Sequence, residues 1–105
     1  MIRHMVMWNF DESLTPEQKR ENAVKIKTGL EEMRYCVEGV ENVRVVIDPL
    51  PSSNADLMLD SAFASEEALA AYRGHPEHRR VLEFINSCVS GRRCVDYVEI
   101  ESPRD

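Results

Sequence analysis

No stretch limits the possible architectures more than Ile2 to Phe10. Read as a strand, it places Ile2, His4, Val6, Trp8 and Phe10 on one face and Arg3, Met5, Met7 and Asn9 on the other. Both faces carry apolar bulk, so this strand is expected to be covered from two sides. The rest of the chain has to supply those covers.

Helical spacing supplies one. Thr15-Pro16-Glu17-Gln18 is a capping-box pattern with proline at the first helical position. Behind it Ala23, Ile26, Leu30, Met33 and Val37 predict one long amphipathic helix that stops near Gly39. Alternation predicts a second strand over 42–48, with Val43, Val45 and Ile47 inward, and a third over 56–63, with Leu57, Leu59 and Phe63 on its more apolar side. The proline-flanked run 49–54 reads as a loop. Ser65-Glu66-Glu67 caps a short helix through Tyr72, and Pro76 opens another striped by Val81, Leu82, Ile85, Cys88 and Val89. Gly91 is expected to close that helix, residues 93–101 to form the last strand, and 102–105 to fray.

The order is β-α-β-β-α-(α)-β, the split βαβ pattern of an α+β ferredoxin-like sandwich: a four-stranded antiparallel sheet with helices on one face. One domain is expected over 1–105, its core over about 2–101. Helices reach only one side of such a sheet. The other side would carry Met5, Met7, Val46, Met58, Val95 and Tyr97, more exposed apolar surface than a soluble monomer usually tolerates. A homodimer packed through its sheet faces would bury it. The alternative is a strand assignment off by one residue, which would turn the apolar rows over.

Composition excludes partners. A formal charge of −6, with Arg79-Arg80 and Arg92-Arg93 as the basic pairs, argues against nucleic acid. No apolar run approaches the roughly 20 residues that cross a bilayer, and the first ten residues lack a secretory h-region. Cys36, Cys88 and Cys94 are odd in number without C-x-x-C spacing, as expected of free thiols in a reducing cytoplasm.

The chemistry-bearing stretch is Tyr72-Arg73-Gly74-His75-Pro76-Glu77-His78. Gly74 can end one helix in a left-handed conformation, His75 can cap the next, and His78 then lies in its first turn. The electropositive helix end should lower the His78 pKa below about 6.5, leaving a neutral imidazole able to act as a base. The plainer reading makes His75 only a cap and His78 a solvated first-turn residue. His75 and His78 face the same side, but a third metal ligand is lacking unless Glu77 or Asp96 turns inward, so no metal is expected.

Together, Ile2-Arg3-His4-Met5-Val6-Met7-Trp8-Asn9-Phe10, Ala62-Phe63, Ala68-Leu69-Ala70-Ala71-Tyr72, His75-Pro76-Glu77-His78 and Arg93-Cys94-Val95-Asp96-Tyr97 resemble the stress-responsive dimeric A/B barrel (Dabb) family. The resemblance runs from Ile2 to about Tyr97. It implies a ferredoxin-like subunit that dimerises through its sheets into an α/β barrel. The family includes stress-induced plant proteins without a settled reaction and a cyclase acting on a linear poly-carbonyl substrate. In cyclase-type members the counterpart of His78 acts as base, the counterpart of Tyr72 lies in the same pocket, and the first-strand histidine, His4 here, borders it. Those members also use a tyrosine from the long first helix, whereas residues 23–30 here contain none and offer Lys25 or Lys27.

Two functions follow as expectations. The first is a small-molecule enzyme or binding protein needing no cofactor. Val6, Trp8, Phe10, Leu59 and Phe63 would line its cleft, and His4, Tyr72 and His78, with His75 beside them, would meet at one end. His78 would remove a proton beside a carbonyl and Tyr72 would hydrogen-bond the enolate oxygen, in a cyclase- or lyase-like reaction, or the same groups would serve oxygenation of an electron-rich aromatic. The second is a non-catalytic dimeric stress-response protein with structural histidines. Each candidate also has a packing role: Trp8, Phe10 and Tyr72 as core, His4 as a hydrogen-bond partner inside the fold.

Overall fold

Capping chemistry sets where the first helix begins. Thr15 Oγ1 accepts the Gln18 N–H at 3.1 Å and Gln18 Oε1 accepts the Thr15 N–H at 2.9 Å. Helix α1 (Pro16–Glu31) follows directly in the computed structural model, which describes residues 1–100. The helix stops earlier than its apolar spacing predicts. From Glu32 to Tyr35 the chain tightens into a 3₁₀ turn, which keeps Met33 buried. Gly39 then turns the backbone at φ +90°, where an added Cβ would lie 2.8 Å from Ala68 Cβ.

Strands β1 (Ile2–Phe10), β2 (Val40–Val46), β3 (Leu57–Phe63) and β4 (Val89–Val98) form one sheet in the order β2-β3-β1-β4, every neighbour antiparallel. With α2 (Glu66–Gly74) and α3 (Pro76–Cys88) standing where the second helix belongs, this is the expected ferredoxin-like α+β arrangement. Helices α1 and α3 bury Val6, Trp8, Leu59 and Ile85 in the larger core cluster. A smaller cluster gathers Met33, Phe63, Leu69 and Tyr72 beneath α2. The opposite sheet face stays open: Met7, Val95 and Tyr97 are exposed, Met5, Val46 and Met58 half-buried. Asp60 ties Arg3 and Arg44 across that face at 2.5 and 3.3 Å. Among the described residues, no helix is long and apolar enough to cross a membrane.

The second half of the chain corrects two expectations about glycine. Gly74 does not end α2 in a left-handed conformation; Gly39 and Gly91 are the described residues with positive φ. The turn is made by His75 in extended backbone (φ −68°, ψ 137°), whose Nδ1 accepts the Glu77 N–H at 3.1 Å and caps α3. Gly91 does not close α3 either. The helix ends at Cys88, and β4 starts at the next residue.

Gly91 instead changes the phase of β4. Phe10 pairs with Val89 and Asn9 with Ser90, but Trp8 pairs with Arg92, so Gly91 (φ +65°) is an extra residue in the ladder. An unbulged strand would put Arg92 on the open face with Ser90. The bulge turns Arg92, Cys94 and Asp96 toward the helices and leaves Arg93, Val95 and Tyr97 outside. The last strand ends at Val98 rather than residue 101, and the expected frayed tail at 102–105 lies outside the described residues.

Candidate active site

The β1–β4 register sets His4 opposite Asp96. His4 is 2 % exposed, and its Nδ1 lies 2.5 Å from Asp96 Oδ1. An ionised carboxylate can only accept, so Nδ1 carries the proton and Nε2 is left with the lone pair. Asp96 Oδ2 accepts a second bond, 2.5 Å long, from the Arg73 guanidinium at the end of α2. Burial alone would raise the Asp96 pKa, but the bonds from His4 and Arg73 hold it below its usual value. Burial lowers the His4 pKa and outweighs Asp96, which favours the charged ring; Arg73 and Arg92 push it further down. His4 is therefore a neutral imidazole whose orientation is fixed.

His78, one turn into α3, faces the same region. Its pKa is lowered first by burial and then by His4, Arg73 and Arg92, against the Arg73 backbone carbonyl, which favours the protonated ring. No hydrogen bond of ordinary geometry reaches His78 Nδ1, which is buried without a partner in the protein. The Tyr72 ring sits 4.6 Å from His78 and 5.0 Å from Phe63, centre to centre. Its hydroxyl is likewise buried and unpartnered, and burial raises its pKa, so it stays a phenol.

A cavity of about 270 Å³ opens between the sheet, α1 and α3. Its walls include the expected His4, Val6, Trp8, Leu59 and His78. The other four expected residues do not line it. Phe10 lies two pairs along β1, beyond Trp8, where it lines a separate hollow with Ala23 and Ile47. Phe63 and Tyr72 fill the smaller core cluster, because helical spacing from Leu69 turns Tyr72 inward under α2. His75 is occupied as the α3 cap. Neither Lys25 nor Lys27 reaches the cavity: Lys27 Nζ is bound by Glu31 and the Val45 carbonyl at 2.7 and 2.8 Å, and Lys25 lies over the Phe84 ring. Leu30 is the α1 residue in the wall.

Sequence reasoning missed Arg73, Asn86 and Arg92 on the cavity, and weighed Asp96 only as an inward-turning metal ligand rather than as the partner behind His4. Pairing the first strand with the last would have brought out Asp96 and Arg92, but only with the Gly91 bulge included.

His4 Nδ1, Cys94 Sγ and an Asp96 carboxylate oxygen lie within 4.8 Å of one another, a donor set a divalent cation could use. Arg73 already supplies the positive charge to Asp96, and Arg92 adds another nearby, so the local field opposes a cation. His75 and His78 are not part of a gathered donor set among the described residues, and the His75 Nδ1 is engaged in capping.

The family model for the stress responsive A/B barrel domain matches residues 2–99. None of the curated proteins compared with the chain matches it. Among solved structures, a dimeric protein of unknown function with a ferredoxin-like fold from Bacteroides fragilis superposes with a TM-score of 0.85 at 22 % identity, covering 91 % of this chain and 93 % of its own. A dimeric ferredoxin-like protein of unknown function from Thermobifida fusca gives 0.77 at 24 % identity, with 93 % and 90 % covered. A dabb family protein with a ferredoxin-like fold from Mesorhizobium loti gives 0.72 at 21 %, with 95 % and 97 % covered. At these identities the structures speak for the fold alone.

Proposed function

The chain belongs to the stress responsive A/B barrel family, and from that premise we propose that it is a homodimer whose subunits each bind and transform a small carbonyl-bearing molecule, with His78 as general base. The observation that carries this reading is the cavity: about 270 Å³ of space beside a neutral, buried imidazole, left unfilled by the aromatic side chains around it. A cavity of about 150 Å³ accommodates benzene, so this volume suits a single ring with substituents. Trp8 lines the cavity and has a buried Nε1–H with no partner in the protein, a donor that a ligand oxygen would satisfy.

In the proposed step, His78 takes the proton from a carbon beside a carbonyl. The C–H electron pair moves onto the carbonyl oxygen as an enolate, and the imidazolium later returns the proton to carbon or oxygen. Arg73, held by Asp96 at the cavity wall, is placed to stabilise the enolate charge. Tyr72 takes a different part from the one first expected: it backs the His78 ring from the core. Homodimerisation through the open sheet face is supported by the exposed Met7, Val95 and Tyr97 and by the dimeric Bacteroides fragilis and Thermobifida fusca proteins.

The test is deuterium exchange into cyclic β-dicarbonyl compounds in heavy water. His78→Ala should slow protein-dependent exchange by about 100-fold or more while the fold persists. Unchanged exchange in the folded variant removes His78 from the mechanism and favours a non-catalytic dimer.

A further inference from the structure

The cavity has a charge pattern that runs against the rest of the chain. The protein carries a formal charge of −6, yet two guanidiniums, Arg73 and Arg92, line this cavity and no carboxylate does. Arg73 is already matched by Asp96 at 2.5 Å. The ion pairs among the described residues leave Arg92 without an anionic partner. Its position is built, since the extra residue Gly91 brings Arg92 to the cavity side of β4 opposite Trp8. Trp8 in turn offers a buried N–H that lacks an acceptor.

We propose that Arg92 selects an anionic ligand, an aryl or cyclic oxo-carboxylate. Its carboxylate pairs with the Arg92 guanidinium at the cavity mouth, and its ring enters between Trp8, Leu59 and Ile85. This inference rests on the cavity being the ligand site and adds the ligand's charge. A guanidinium meets a carboxylate in a two-point geometry that a neutral amide cannot copy. The influence of Arg92 on both His4 and His78 agrees with a cation close to each ring. A carboxylate on Arg92 would also hold the ring's carbonyl substituents within reach of His78.

Benzoate and benzamide separate charge from shape. Each is titrated into the ¹⁵N-labelled protein at pH 7.5, with the Trp8 indole resonance reporting cavity occupancy. Benzoate should bind about tenfold or more tightly than benzamide, with a preference that shrinks as salt rises. Arg92→Leu should bring benzoate to the benzamide level without weakening benzamide, and Arg92→Lys should keep part of the preference. Equal binding of the two probes to the unaltered protein, or a preference that survives in Arg92→Leu, overturns the charge assignment and leaves the cavity reading standing. Failure of both probes to move the indole resonance overturns both.

Discussion

His78 reaches its lowered pKa by a different route from the one its position in α3 suggests. Burial is the leading cause, with nearby positive charges adding to it, so the imidazole is neutral because water is scarce around it. The sign gives a pH prediction. His78 protonates only below its usual 6.5, so turnover should be flat above that pH and fall as pH drops through the lower value. A pH–rate profile with its acidic limb above 6.5 would contradict this. Tyr72 gives a stability prediction. Its hydroxyl is buried with no partner in the protein, so Tyr72→Phe should leave stability unchanged or raise it by about 1 kcal/mol in urea unfolding. A clear loss would mean that the hydroxyl has an acceptor, such as a buried water. Asp96 is the opposite case. It accepts from His4 and Arg73 at once, so Asp96→Asn should destabilise by roughly 1–3 kcal/mol and loosen the His4 ring.

At the level of elements, local signals and long-range pairing divide cleanly. The Thr15 capping box, the Ser65 cap, the proline start of α3 and the alternation of β1 are written in adjacent residues, and each was readable there. Glycines read only locally misled: Gly74 stays in α2, and Gly91 is a strand bulge whose meaning depends on β1, about 80 residues upstream. The site divides the same way. His4 and His78 stand out by residue type and motif, whereas Asp96, Arg73 and Arg92 join them only once the sheet register is known. The two positive-φ glycines should respond differently to alanine. At Gly91 an added Cβ meets nothing within 4 Å, so the cost is conformational, about 1–2 kcal/mol. At Gly39 the same φ penalty is joined by a 2.8 Å approach to Ala68 Cβ, so Gly39→Ala should show the larger loss in thermal unfolding. Equal losses would mean that the α2 start yields freely.

For the whole molecule, one sheet serves two surfaces. Its helix side holds the cavity, and its open side carries Met7, Val95 and Tyr97 around the Arg3–Asp60–Arg44 bridge. Sedimentation at micromolar concentration should report a dimer, and Val95→Glu, which buries a charge in the proposed seam, should shift it to monomer. A well-folded wild-type monomer would remove the proposed association. The bulge at Gly91 ties these surfaces together. Deleting Gly91 would leave Arg92 opposite Trp8, but keeping the residue and straightening the strand would turn the charged row to the proposed seam and the greasy row to the hollow. A side chain that resists positive φ at position 91 would therefore press the two faces of the strand to trade places.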